Sequence, residues 1–188
     1  MVGLGPGAVA VAGATPVFVD IDAATMNMSA DSLSAAIAAT AKTAQATPRA
    51  VIAVDLFGHL ADYEALGRLC DRHELLLLED AAQSMGASRS RRMAGGLGVD
   101  AATSFFPAKP LGCWGDGGMV FTSNSNTADL LRSIREHGQG GDRYRNLRVG
   151  LNARMDTMQA AVLLGRLPLF EQELNRRREL AERYGHLL

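Results

Sequence analysis

Short apolar runs of strand length alternate with amphipathic stretches of helix length along most of this chain, and that alternation limits the folds open to it. The run Leu75 to Leu78 is apolar at every position. Such a strand needs cover on both faces, which helices packed against a parallel sheet provide. Thr15 to Ile21 (TPVFVDI), Ala50 to Val54 and Met119 to Thr122 read as further strands from their β-branched, aromatic and aliphatic content. Helical periodicity covers Ser29 to Ala39, with Ser29 or Asp31 as its cap, then Asp62 to His73, Ala128 to Glu136 and Asp156 to Leu169. A charged helical stretch follows to the end. Gly138 to Gly150 (GQGGDRYRNLRVG) is dense in glycine and polar residues and reads as a loop. The expected class is α/β.

A length of 188 residues with 47% hydrophobic content suits one domain, or a large piece of one, with a sizeable core. The 19 basic and 20 acidic side chains leave a formal charge of -1, which gives no general pull toward nucleic acid or acidic membranes. Arg176, Arg177 and Arg178 read as a solvated helix face. Cys70 and Cys113 are too few for a disulfide framework and lack metal-ligand spacing, which fits a reducing, cytoplasmic setting. Cys70, in an apolar helical pattern, reads as a buried inert thiol. Val2 to Val19 carries no charge, but its glycines and prolines make a poor membrane span, and no basic region leads it as in a signal peptide. It reads as buried backbone. The Gly3-x-Gly5-x-Gly7 pattern has no strand before it and is not a nucleotide loop.

Two stretches carry side chains suited to chemistry. Glu79-Asp80-Ala81-Ala82-Gln83-Ser84 follows the apolar strand directly, and the carboxyl end of a buried parallel strand is where α/β sheets place ligands. The plain alternative is an aspartate capping a helix. Thr103 to Gly112 (TSFFPAKPLG) holds Lys109 between Pro107 and Pro110, two residues with fixed φ, and the neighbouring Phe105 and Phe106 favour a neutral, nucleophilic amine. The plain alternative here is an exposed loop lysine. Gly115-Asp116-Gly117-Gly118 reads as a turn or a close backbone approach. A carboxylate, a lysine and the hydroxyl of Ser104 are together what pyridoxal phosphate requires: a partner for its ring nitrogen, a point of attachment and a phosphate ligand.

The segments GATPVFVDID, EDAAQSMGA, TSFFPAKPLGCWGDGGMVFT and GLNARMDTMQAAVLLGRL resemble the DegT/DnrJ/StrS family of sugar aminotransferases. The resemblance runs from about Val9 to Leu188. It implies a fold-type-I large domain, a mixed, mostly parallel sheet with flanking helices, and pyridoxal 5'-phosphate as cofactor. It implies that Asp80 pairs with the cofactor's ring nitrogen and that Gln83 lies against the ring. By the same resemblance Ser104 holds the phosphate, Lys109 carries the cofactor and moves a proton, and Asn152 reaches the phosphate in a neighbouring subunit. The implied assembly is a homodimer with shared active sites, and the implied amino donor is glutamate. The spelling FFPAKPLGCWGDGG most resembles the branch acting on UDP-linked 3-oxo-glucuronate derivatives in surface-polysaccharide (O-antigen) synthesis. Arg154 then reads as a ligand of the substrate carboxylate, or as a partner of Asp156 at a helix start.

The resemblance further implies that residues 1–188 are the central part of the cofactor-binding large domain. The amino-terminal segment and the carboxyl-terminal small domain are expected to be absent, and the isolated chain is expected to be inactive. Two other readings stand beside this one: a non-catalytic truncated scaffold, and another fold-type-I reaction. Desulfuration would need a mobile cysteine, and Cys113 lies too near Lys109 to be delivered independently.

Overall fold

Leu76 to Leu78 of the apolar run lie in a sheet strand, with Leu77 buried and Leu76 exposed. In a computed structural model of the chain, which describes residues 5–43 and 47–188, the elements follow in order. They are α1 (Pro6–Val11), α2 (Ala30–Thr43), β1 (Ala50–Val54), α3 (Tyr63–Arg72), β2 (Leu76–Asp80), β3 (Ser88–Arg89), β4 (Arg92–Met93) and β5 (Asp100–Ser104). Then come β6 (Gly118–Thr122), α4 (Ser125–Arg135), β7 (Gln139–Gly140), β8 (Asp142–Asn146), α5 (Thr157–Arg166) and α6 (Phe170–Leu187). The main sheet has the order β1-β2-β5-β6. The first two pairings are parallel and the last antiparallel, the mixed, mostly parallel sheet expected. Register places Val54 beside Asp80, Asp80 beside Ala102 and Ser104 beside Gly118. Three strands therefore end, and β6 begins, at one rim.

Two apolar clusters support that rim. In the first, Leu33 and Ile37 of α2 meet Tyr63, Leu66 and Cys70 of α3 over Val51, Ala53 and Leu77 of the sheet. Asp62 caps α3 by accepting the N–H of Ala65 at 3.0 Å, and Leu66 and Cys70, one turn apart, point the same way into the core. Burying Leu66 alone contributes roughly 1.5–3 kcal/mol. The Cys70 thiol is buried, and burial pushes its pKa up, as suits an inert thiol. In the second cluster Phe105, Leu111 and Cys113 pack on Leu163 of α5, with Met85, Met155 and Phe170 around them.

Several expectations fail, each for a packing reason. Thr15 to Ile21 forms no strand: its one pairing among the described residues is an isolated bridge from Ile21 to Met28, and Val17 and Phe18 are exposed. Strand propensity measures fit to a neighbouring strand, and no described strand lies beside this segment. Val2 to Leu4, with Gly3 of the glycine pattern, lie outside the described residues, but α1 beyond them buries no residue, so the expected buried backbone is exposed there. The glycine-rich stretch 138–150 contains the β7–β8 hairpin. Strand β5 escaped notice because Asp100-Ala101-Ala102-Thr103-Ser104 has little aliphatic bulk; its place between two other strands supplies what the side chains lack.

Candidate active site

Glu79 and Asp80 are successive strand residues, so their side chains leave opposite faces of the sheet and do different work. Glu79 is fully buried and accepts the N–H groups of Gly95 at 2.6 Å, Leu97 at 2.7 Å and Gly98 at 3.3 Å. Three charge-assisted bonds to one loop make it a structural anchor. Asp80 is also buried, and its Oδ1 accepts Ala82 N–H at 3.1 Å. Turns follow rather than a helix, so helix capping is not its role. Its Oδ2 has no hydrogen-bond partner among the described residues. No fully buried side-chain oxygen there lacks a partner, so Oδ2 keeps contact with solvent.

The loop after Asp80 is clamped from both neighbouring strands. Toward β5, Ala81 N–H donates to Ala102 O at 2.8 Å and the Thr103 hydroxyl to Ala81 O at 2.9 Å. Toward β1, Asp55 N–H donates to Asp80 O at 3.1 Å, the Ser84 hydroxyl to Asp55 Oδ2 at 2.7 Å, and Phe57 N–H to Gln83 Oε1 at 3.1 Å. Asp80 and Gln83 are thus held by the same framework.

Asp55 is the residue that sequence reasoning missed; its only signal was a lone carboxylate at the end of an apolar strand. It is fully buried, and its Oδ1 accepts both Ala61 N–H at 3.0 Å and the Tyr63 hydroxyl at 2.9 Å. Burial pushes its carboxyl above the ordinary range, against the pull of the Ala61, Ser84 and Tyr63 donors, and the charge of Glu79 adds to the rise. Burial also pushes the Tyr63 hydroxyl up, helped by Asp55. A raised carboxyl stabilises the fold fully below its unfolded pKa, near 3.8, and that share is lost as pH climbs through the folded value. Asp55→Asn cannot charge. Denaturant titrations at successive pH values are therefore expected to show wild type losing stability relative to Asp55→Asn as pH rises above that range. A constant difference would refute the raised value.

Across the rim, Ser104 ends β5 and its Oγ accepts Phe106 N–H at 3.2 Å, which leaves the hydroxyl proton to donate elsewhere. The next residues turn sharply: Lys109 N–H donates to Phe106 O at 2.8 Å and Cys113 N–H to Phe105 O at 2.8 Å. A Cβ on Gly112 would stand 2.5 Å from Pro107 O, so only glycine allows this close return. Phe105 and Leu111 are buried at either foot of the turn, while Phe106 is 38% exposed. The two rings thus part: Phe105 roots the turn and Phe106 meets solvent. Lys109 is half-buried, and its amine makes no ion pair or hydrogen bond among the described residues. Cys113 is buried with its thiol directed to the carbonyls of Phe105 and Gly115 at 2.9 and 3.2 Å, so it is committed to structure.

Asn152 and Arg154 lie on the stretch between the hairpin and α5. Asn152 bridges to Glu136; Asn152 and Arg154 are both exposed, and neither shares a hydrogen bond with the rim residues. Arg154 does not pair with Asp156, which begins α5 without a side-chain cap. Two clefts open elsewhere. One of about 710 Å³ runs along α4, where Arg132 and Arg135 are already paired with Asp129 and Glu136. One of about 360 Å³ lies beside Asn27 and His59. Neither is lined by Asp80, Ser104 or Lys109.

The family model described as the DegT/DnrJ/EryC1/StrS aminotransferase family matches residues 6–188. The chain belongs to that family. A UDP-2-acetamido-2-deoxy-3-oxo-D-glucuronate aminotransferase of Pseudomonas aeruginosa is 46% identical over 178 residues, 94% of this chain and 47% of the relative. A crystal structure of a DegT DnrJ EryC1 StrS aminotransferase from Brucella abortus superposes with a TM-score of 0.94 at 49% identity, covering 96% of this chain and 48% of that one. The ntda protein of Bacillus subtilis, solved with bound cofactor PMP, superposes with a TM-score of 0.76 at 26% identity, covering 89% of this chain and 36% of that one. The chain spans about half the length of the curated relatives it matches. Aminotransferases of this family work with pyridoxal phosphate. The rim has the donor set this group needs: a buried carboxylate with one open oxygen, a hydroxyl with a proton to give, and an uncommitted lysine amine.

Proposed function

We propose that residues 1–188 are the central part of the cofactor-binding large domain of an aminotransferase. The reaction moves an amino group from glutamate to a nucleotide-linked keto-sugar of the UDP-3-oxo-glucuronate type, for surface-polysaccharide synthesis. The observation that carries this reading is the rim itself, where β2 delivers buried Asp80 and β5 delivers Ser104 one strand away, just before the rooted turn of Lys109. Asp80 holds a proton on the ring nitrogen, and Gln83, fixed by Phe57 N–H, lies against the ring. Ser104 donates to the phosphate. Lys109 attaches the cofactor and moves a proton at the substrate carbon. When bound, the cofactor supplies an electron-accepting ring that stabilises negative charge on that carbon. The working unit is a cytoplasmic homodimer in which Asn152 reaches the partner's cofactor phosphate; no helix among the described residues is long and apolar enough to cross a membrane.

The 46% identity to a UDP-3-oxo-glucuronate aminotransferase favours a sugar bearing a carboxylate, and Arg154, exposed and without an ion pair among the described residues, is the guanidinium assigned to it. A lost charge-assisted contact of roughly 1.5–3 kcal/mol means about ten- to hundredfold weaker binding. In the full-length protein, Arg154→Ala is expected to weaken UDP-linked 3-oxo-glucuronate by that factor and to spare the neutral 3-oxo-glucose analogue. Equal losses on both sugars would remove Arg154 from carboxylate recognition. A wild-type preference for the neutral sugar would overturn the substrate assignment.

A further inference from the structure

The chain leaves β1 through a turn that the protein holds with unusual completeness. Leu56 N–H donates to the Oδ1 of buried Asn27 at 3.1 Å, and Phe57 N–H to Gln83 Oε1 at 3.1 Å. Gly58 N–H donates to Asp55 O at 3.2 Å, His59 N–H to Leu56 O at 3.0 Å and Ala61 N–H to Asp55 Oδ1 at 3.0 Å. Asn27 Nδ2 donates in turn to His59 O at 2.7 Å. Residues from three separate stretches of chain thus fix one short turn.

At its tip stands Phe57, with φ 57° and ψ 19°, in the left-handed region that side chains avoid. Gly58 continues in the same region at φ 83°, where glycine is at ease; Phe57 is not. Six described residues other than glycine have positive φ, and Phe57 is the only phenylalanine, tyrosine or tryptophan among them. Phe57 is 82% exposed, so packing among the described residues does little to offset the strain. Strain of this kind persists where surrounding structure over-determines it, and it gathers at ligand sites.

We infer that Phe57 is a substrate-contacting residue whose ring forms an apolar wall for the sugar ring of the nucleotide-linked substrate. This rests on the proposed sugar-aminotransferase reading. The placement favours substrate over cofactor. Phe57 is one hydrogen bond from Gln83 on the clamped loop, yet its ring stands in solvent while Asp80 is buried at the foot of that loop. A pyranose presents a face of C–H groups, which an aromatic face covers without needing a polar partner.

The test uses the full-length, cofactor-loaded protein with Phe57→Ala and Phe57→Gly. Calorimetry measures binding of a UDP-linked 3-amino-glucuronate product and of UDP alone, and melting is recorded without ligand. Both variants are expected to bind the UDP-sugar about tenfold more weakly, which is what roughly 55 Å² of apolar contact is worth. UDP affinity is expected to stay at the wild-type level. Phe57→Gly, which occupies the left-handed region without strain, is expected to melt no lower than wild type. Unchanged sugar binding, or equal losses for UDP and UDP-sugar, overturns the inference. A lowered melting point in Phe57→Gly alongside the binding loss overturns it too, by making the ring structural. If the wild type binds no UDP-sugar, the functional reading fails and this inference with it; if only the variants match wild type, this inference fails alone.

Discussion

Lys109→Ala is expected to lower transamination by about three or more orders of magnitude in the full-length protein, since the proposed function gives one side chain both cofactor attachment and proton transfer. The melting point is expected to change little. The amine makes no bond among the described residues, and the turn that presents it is held by Phe105, Leu111 and Gly112 rather than by the lysine. Borohydride reduction of the wild type should leave the cofactor on the peptide containing Lys109. Lys42, on α2, is the only other lysine in the chain, so labelling there would remove Lys109 from the chemistry. Retained activity in Lys109→Ala would do the same.

Asp80→Asn should separate binding from catalysis. The amide oxygen can still accept Ala82 N–H, so the turn closes and the loop remains clamped to β1 and β5. What disappears is the negative charge that, in the proposed function, keeps a ring nitrogen protonated. Removing a preorganised charge of this kind is expected to slow turnover by about two orders of magnitude or more, while the cofactor still binds. Turnover near the wild-type rate would reduce Asp80 to closing its own turn with Ala82.

Much of the candidate site was legible before the structure, because its side chains sit in local patterns. Asp80 follows a wholly apolar strand, and Lys109 lies in a Pro-x-x-Pro-like turn (Pro107 to Pro110) after Ser104. The division of labour within Glu79-Asp80 was not legible. It depends on which side of β2 each residue faces and on a loop at residues 95–98 that returns to meet Glu79. Asp55 and Phe57 were invisible for a similar reason: their partners, Asn27, Gln83 and Ser84, come from distant stretches of chain.

The sequence by itself determined the class of fold, most of its helices and which side chains stand as candidates for chemistry, because hydrophobic period and turn chemistry act between near neighbours. It misjudged Thr15 to Ile21 and β5, since pairing into a sheet depends on what lies alongside. Only the tertiary structure decided that β1, β2 and β5 end at one rim, that a buried Asp55 joins the loops there, and that Phe57 is held strained in solvent. Each of these is set by contacts between residues far apart in the chain. Their free energy comes from burial and from hydrogen bonds completed only when the whole sheet is assembled.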